Sequence, residues 1–247
     1  MSEWKLLATG PFARDDLLVE FRDEMTELSP KLESEITTHW KSALAKAAEK
    51  GQRLFDGGLF QLEDIAGTRF QLSLTSYRRW TYASGLGDGA NVSRPLASCA
   101  AVISADNRLL IQERSREVAE GAGLLHVPGG HPDPKRDLVD GLPDLFGAME
   151  AELAEELALT PADLDPGRIL AIIENLDNGK PELLFKYHCK LTSEEIVLRS
   201  MQSRDSYEYD TIIFLPAEEA KLAAYLAENE KRLAVPSQAL LSILSEA

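Results

Sequence analysis

Cysteine is nearly absent from these 247 residues: Cys99 and Cys189 stand alone, 90 positions apart. Two such residues make no disulfide framework, which fits a reduced, cytoplasmic setting. No Cys/His spacing suggests zinc. No apolar run approaches the roughly 20 residues a membrane span needs, so no membrane partner is expected. The opening MSEWKLLATGPF lacks a basic stretch followed by a long apolar one, and no secretory signal is expected. Positive charge is scarce too, with Lys+Arg 26 against Asp+Glu 41 and a formal net charge of -15. That balance argues against a basic nucleic-acid surface, because phosphate neutralisation drives such binding. A phosphate-bearing small molecule remains compatible with it, given local arginines, backbone N–H groups or a divalent cation. Internal repeats and low-complexity tracts are also lacking.

What is present is ordinary for a globular protein, with 44% hydrophobic and 27% charged residues. Trp4 to Ala8 reads as a short strand and Asp15 to Glu27 as a helix. Ser29-Pro30 is a helix start, with the helix running to Gly51. FQLEDIAGTRFQLSLTSYR reads as two strands around Ala66-Gly67. The Gly-rich SGLGDGANVSRP (84–95) marks a boundary. Beyond it come a hairpin with Asp106-Asn107 at its tip, the short strand GLLHVPGGH, and an acidic helix. A second hairpin turns at Asn178-Gly179, TIIFLP is a further strand, and helices close the chain around 217–231 and 236–245. Strands interleaved with helices make the class mixed α/β.

The acidic helix, MEAELAEELAL (149–159), carries the chemistry. At about 3.6 residues per turn, Met149, Leu153 and Leu157 form one apolar stripe. Glu152 and Glu156, spaced i and i+4, share one edge of it, and Glu155 lies on the far side. Two stacked carboxylates repel unless a cation or arginine sits between them. A hard divalent cation such as Mg²⁺ takes oxygen ligands and suits that placement. Upstream, HVPGGH (126–131) ends a strand in glycines that let the backbone turn and approach a ligand closely.

These two segments together resemble the Nudix hydrolases, whose motif is G-x5-E-x7-R-E-U-x-E-E-x-G-U with U a bulky aliphatic residue. The E-U-x-E-E core stands at Glu152, Leu153, Glu155 and Glu156. The motif's arginine is replaced by Ala151 and its late glycine by Ala158, and its first Glu has no counterpart. Gly130 precedes Glu152 by 22 positions where the motif has 15, so about seven extra residues intervene. The departures match an atypical Nudix subgroup that hydrolyses UDP-glucose and UDP-galactose. LFD (54–56), LTSYR (74–78), RSREVAEGAGLLHVPGGHPDP (114–134) and TIIFL (211–215) carry the similarity across most of the chain. The resemblance implies a Nudix-type α/β/α sandwich with a mixed sheet over residues 96–247, preceded by a smaller α+β region over 1–95 that helps select the substrate. It implies Mg²⁺, or Mn²⁺ in its place, and a cut of the pyrophosphate that yields UMP and sugar 1-phosphate. Two alternatives stay open: a Nudix hydrolase of another nucleoside diphosphate derivative such as ADP-ribose, and a Nudix-fold nucleotide-binding protein without catalysis.

Residue roles follow from that chemistry. Glu152 and Glu156 are the expected metal ligands, with Glu155 a further ligand through water or a surface residue. A general base is sought at Glu208, just before a strand, or at Glu182. Arg114 and Arg116, two apart at a strand end, are placed to clamp phosphate. Thr75, Ser76, Tyr77 and Arg78 offer hydroxyls, a ring and a guanidinium for uracil or phosphate. Gly129, Gly130 and His131 offer close backbone approach and a phosphate hydrogen bond; His126 is the same kind of turn histidine.

Overall fold

Every residue of Ala97–Ile103 is buried. Successive side chains of a strand point to opposite faces, so such a segment needs a core on each side. The computed structural model, which describes residues 3–86, 92–118 and 120–246, supplies both. Ala100 and Val102 enter one core, while Cys99, Ala101 and Ile103 enter the other.

In chain order the first elements are β1 (Trp4–Phe12), β2 (Leu18–Met25), α1 (Pro30–Glu49), β3 (Gly58–Ala66), β4 (Arg69–Ser76) and α2 (Tyr77–Ser84). Then come β5 (Ala97–Ile103), β6 (Arg108–Arg114), β7 (Leu125–His126), β8 (Gly129–Gly130), β9 (Leu138–Val139), β10 (Leu142–Pro143) and α3 (Leu145–Leu157). The last are β11 (Arg168–Asn175), β12 (Pro181–His188), α4 (Ser193–Ser200), β13 (Tyr209–Pro216), α5 (Glu219–Asn229) and α6 (Val235–Ser245).

The large sheet runs β1-β11-β12-β5-β6-β13. It is mixed: β12 and β5 are parallel and the other neighbours antiparallel. Phe146, Met149, Leu153 and Leu157 of α3 fill the core on one face. Leu222 of α5 and Leu240, Leu241 and Leu244 of α6 fill the other. Helices on both faces of a mixed sheet make the α/β/α sandwich expected from the sequence. Strands β5 and β6 touch in register at Ile103 and Leu109, then diverge. Into the opening go β8, pairing with Ser98 and Cys99, and β7, pairing with Gln112 and Glu113. The Pro-Gly-Gly segment is thus wedged inside the sheet rather than carried on a loop.

A second sheet, β2-β4-β3, stands apart, with β2 parallel to β4 and β3 antiparallel to it. Ser29 caps α1 by accepting from Leu32 N, as its sequence position predicts. Residues 15–27 depart from the expected helix. Val19 and Phe21 are half-buried between exposed Leu18, Glu20 and Arg22, a period of two, and β4 from far along the chain completes the backbone hydrogen bonds. Strand β1 lies in the large sheet, paired with β11, although it precedes residue 96. Part of the 84–95 loop falls outside the described residues. Among the described residues no helix is long and apolar enough to cross a membrane.

Candidate active site

Helix α3 opens at Asp144, whose side chain accepts from Gly147 N at 2.9 Å. From there the apolar stripe faces the core and carries its edge carboxylates to the wedged strand. Glu156 is 3% exposed and accepts a hydrogen bond from Gly129 N at 3.2 Å. A methyl on Gly130 would sit 2.4 Å from Glu152 Oε2, and one on Gly129 would sit 2.3 Å from Ser98 O. The two glycines are there because α3 and β5 leave no space for a side chain. They form a flat strand, not the sharp turn the sequence suggested.

Burial raises the proton affinity of both carboxyls. Glu152 is pushed up to about 7 by loss of solvent, against the opposing pull of Arg136, with Glu155 and Glu208 adding to the rise. Glu156 is pushed up to about 8 by burial, then by Glu152 and Glu208. The pair faces a cavity of about 280 Å³ that Glu155, Asp133, Asp205 and Glu208 also line.

Where the sequence has Ala151 on the helix, Arg136 brings a guanidinium to the same helix from outside it. Its guanidinium donates to Glu152 Oε1 and Glu155 Oε2, each at 2.9 Å, and to both oxygens of Asp137 at 2.6 and 2.9 Å. It comes from the extra segment between Gly130 and the helix, which folds into the hairpin β9–β10. Asp137, 6% exposed, anchors that hairpin by accepting from Asp133 N at 2.7 Å. Bidentate pairing on Asp137 fixes the planar fork and aims its remaining donors at α3. Glu155 also meets Arg204 at 3.1 Å. It therefore faces the cavity instead of the far side, because the hairpin and the 204–208 segment extend the cavity wall around the helix.

Glu208 ends a short 3₁₀ turn (Ser206–Glu208) held by Asp205 N donating to Glu155 O at 3.0 Å. Burial raises its carboxyl, and Arg114, 3.9 Å away, opposes the rise. Arg114 also donates to Glu120 O at 3.1 Å. Arg116 lies beyond the end of β6, exposed in a turn, and is not among the cavity's lining residues. Its separation from Arg114 follows from the strand ending between them.

The 75–78 residues diverge. Thr75 is buried against Ser93 at 2.8 Å, and the Ser76 hydroxyl is buried without a hydrogen-bond partner among the described residues. Arg78 pairs with Asp56 and Glu33 at 3.3 and 3.4 Å. Tyr77 donates to Glu120 Oε1 at 2.8 Å, and its ring meets His131 edge-on at 6.5 Å. His131 lines the cavity; burial, then Lys180, pull it down to about 4, so it is neutral. His126 is neutral as well, drawn down to about 3 by burial and Arg114. Glu182 stands elsewhere, beside Lys180 at 3.5 Å.

Arg136, Arg204, Phe55 and Tyr207 line the cavity too and were not singled out from sequence. For Arg136 a signal existed: a basic residue inside the insertion that displaces the motif's arginine.

The residues fit a divalent cation. Two carboxylates at α3 are desolvated and raised, which marks a site short of positive charge. Among the described residues no three ligating side chains converge on one point.

No family model matches the chain. The mouse protein named uridine diphosphate glucose pyrophosphatase NUDT22 is 32% identical over 169 residues, covering 63% of this chain and 54% of that protein. Nudix hydrolase 9 of Arabidopsis thaliana is 23% identical over 265 aligned positions, covering 90% of this chain and 85% of its own length. A crystal structure of a Nudix hydrolase from Alicyclobacillus acidocaldarius superposes with a TM-score of 0.43 and 15% identity over 62% of this chain and 91% of that one. The match to the mouse protein spans just over half of that protein's length.

Proposed function

We propose that this chain is a Nudix hydrolase, a reading its likeness to the NUDT22 proteins supports, and that it hydrolyses the pyrophosphate bond of a UDP-sugar to UMP and a sugar 1-phosphate. The observation that carries the reading is the desolvated pair Glu152 and Glu156, raised by burial and open to an acidic cavity. The likeness to the mouse UDP-glucose pyrophosphatase supports the substrate class, with UDP-glucose and UDP-galactose as the sugars to test.

In this reading Glu152 and Glu156 hold Mg²⁺, or Mn²⁺ in its place, and Glu155 sits within reach through water. The bound ion would neutralise diphosphate oxygens and acidify water. Arg136, by donating to both, would hold Glu152 and Glu155 in fixed orientations beside the ion. Glu208 accepts a proton from the water whose oxygen attacks phosphorus, and its raised proton affinity suits a base working near neutrality. The P–O bond to the other phosphate breaks as the new one forms, and a phosphate monoester leaves. Arg114, next to Glu208, and Arg204, beside Glu155, offset charge on the phosphates. His131, neutral and at the cavity wall, has one ring N–H to donate. The 1–95 region takes part in substrate selection, since its Phe55 lines the same cavity.

The test is product analysis with UDP-glucose, UDP-galactose and ADP-ribose in Mg²⁺ and in Mn²⁺. Release of UMP and hexose 1-phosphate, with UDP-sugars favoured, is expected. Preference for ADP-ribose would defeat the substrate assignment. Tight UDP-sugar binding by calorimetry with no UMP released would favour a non-catalytic nucleotide-binding protein.

A further inference from the structure

The cavity at α3 is lined almost wholly by charge, yet two aromatic rings stand at it. Phe55 is 77% exposed and Tyr207 38% exposed, and both belong to the lining. Phe55 comes from the loop after α1 and Tyr207 from the turn that carries Glu208. Separate parts of the chain hold both segments together. Arg53 N donates to Glu117 O at 3.4 Å and Gln52 Nε2 to Val118 O at 3.2 Å. Ser115 N donates to Glu208 O at 2.9 Å. The 115–118 segment therefore ties the Phe55 loop to the Tyr207 turn. The Arg53 guanidinium also lies over the Tyr207 ring, 4.4 Å from its centroid, and Tyr207 still remains 38% exposed.

A ring as exposed as Phe55 is not there to fill a core. Phosphates and sugar hydroxyls would be served by the arginines, carboxylates and His131. A planar apolar face has no other counterpart among the lining residues than these two rings. We infer that Phe55 and Tyr207 form a stacking site for the nucleobase of a nucleoside diphosphate substrate, with Arg53 backing Tyr207. This rests on the functional reading above and names how its nucleotide half is held. Every base has a π-face, so stacking of this kind tolerates different bases. The rings hold a base without choosing it.

Two measurements test the site. The first compares hydrolysis of UDP-glucose with hydrolysis of a base-free analogue, P1-methyl P2-glucosyl diphosphate. In Phe55→Ala, Phe55→Leu and Tyr207→Leu the ratio of kcat/KM for the two substrates falls about tenfold, as expected for loss of one stacking partner. An unchanged ratio overturns the inference. The second uses Phe55→Trp, with wild type as the fluorescence blank. UMP and AMP quench the new tryptophan and glucose 1-phosphate does not. Quenching by glucose 1-phosphate without UMP would assign the rings to the sugar and overturn the inference. If wild type leaves UDP-glucose intact the functional reading fails, while the fluorescence titration still decides whether a base stacks there.

Discussion

Strand β5 separates two acidic clusters that solve burial in opposite ways. On its β12 side, Lys180 is buried between Glu182 at 3.5 Å and Glu120 at 2.8 Å, with its ammonium 5.7 Å from the centroid of the Trp80 ring. Loss of solvent pushes Glu120 up, but the Lys180 ammonium and the Tyr77 hydrogen bond help hold the carboxyl below the usual range. On the β8 side, Glu152 and Glu156 suffer the same loss of solvent without a lysine between them, and both stay raised. The first cluster carries one ammonium for two carboxylates, so Glu120 is held low while burial still raises Glu182. The second is left short of charge, which is the condition for recruiting a cation with the substrate. Desolvation alone does not mark a site; desolvation that the neighbouring counter-charge, here Arg136 on Glu152, fails to offset does.

The contrast can be broken from either side. The largest effect is expected from Glu156→Gln or Glu152→Gln, which lower kcat by at least about a hundredfold without lowering the melting temperature of the metal-free protein. Activity assays paired with thermal unfolding check this; near-normal turnover by both variants at saturating Mg²⁺ would sink the metal assignment. Lys180→Met does the reverse. It strands Glu182 and Glu120, and denaturant titration is expected to show a stability loss of about 3–5 kcal/mol.

Arg136→Ala is expected to cost about 10–100-fold in activity or metal affinity, as removal of an orienting residue does. Restoring an arginine on the helix itself, in the double variant Arg136→Ala with Ala151→Arg, recovers part of that loss. No recovery, with the fold intact, would show that the hairpin's geometry matters beyond its charge. The pH dependence of the metal-free protein is subtler. Glu152 and Glu156 sit at about 7 and about 8 when folded, above their unfolded value. The folded state therefore keeps protons that the unfolded chain has already released. Stability is full below the unfolded value and is lost as pH rises through 7 and 8. The melting temperature of the metal-free protein falls between pH 5 and pH 8. Added Mg²⁺ raises it more at pH 8, where fewer protons compete than at pH 5, and the Glu152→Gln/Glu156→Gln double variant flattens the fall.

The smallest effect concerns the motif's other missing residue. Ala158 ends α3 at φ +54, a left-handed conformation that favours glycine. Ala158→Gly is expected to stabilise the protein by about 1 kcal/mol, read as a shifted denaturation midpoint.

Local periodicity made much of this legible. Met149, Leu153 and Leu157 are buried as the helical wheel requires, with Glu152 and Glu156 beside them. The hairpins turn where Asn107 and Gly179 take positive φ. What sequence could not show depends on partners far along the chain. Residues 18–25 are a strand because β4 is beside them. Arg136 reaches α3 because a two-strand hairpin folds back. The loop and turn that present Phe55 and Tyr207 meet through a third segment with no periodic signature.

The placement of β1 has a consequence in time. Trp4 faces Asn175 and Phe12 faces Ile169 across the edge of the large sheet. At ribosomal rates β1 is made on the order of ten seconds before the strand it pairs with. Until then its polar edge and the apolar residues it will bring to both cores have no partner. Strand β1 cannot be seated until β11 has been made, and a nascent chain halted before that point would display an open edge for chaperones to cover.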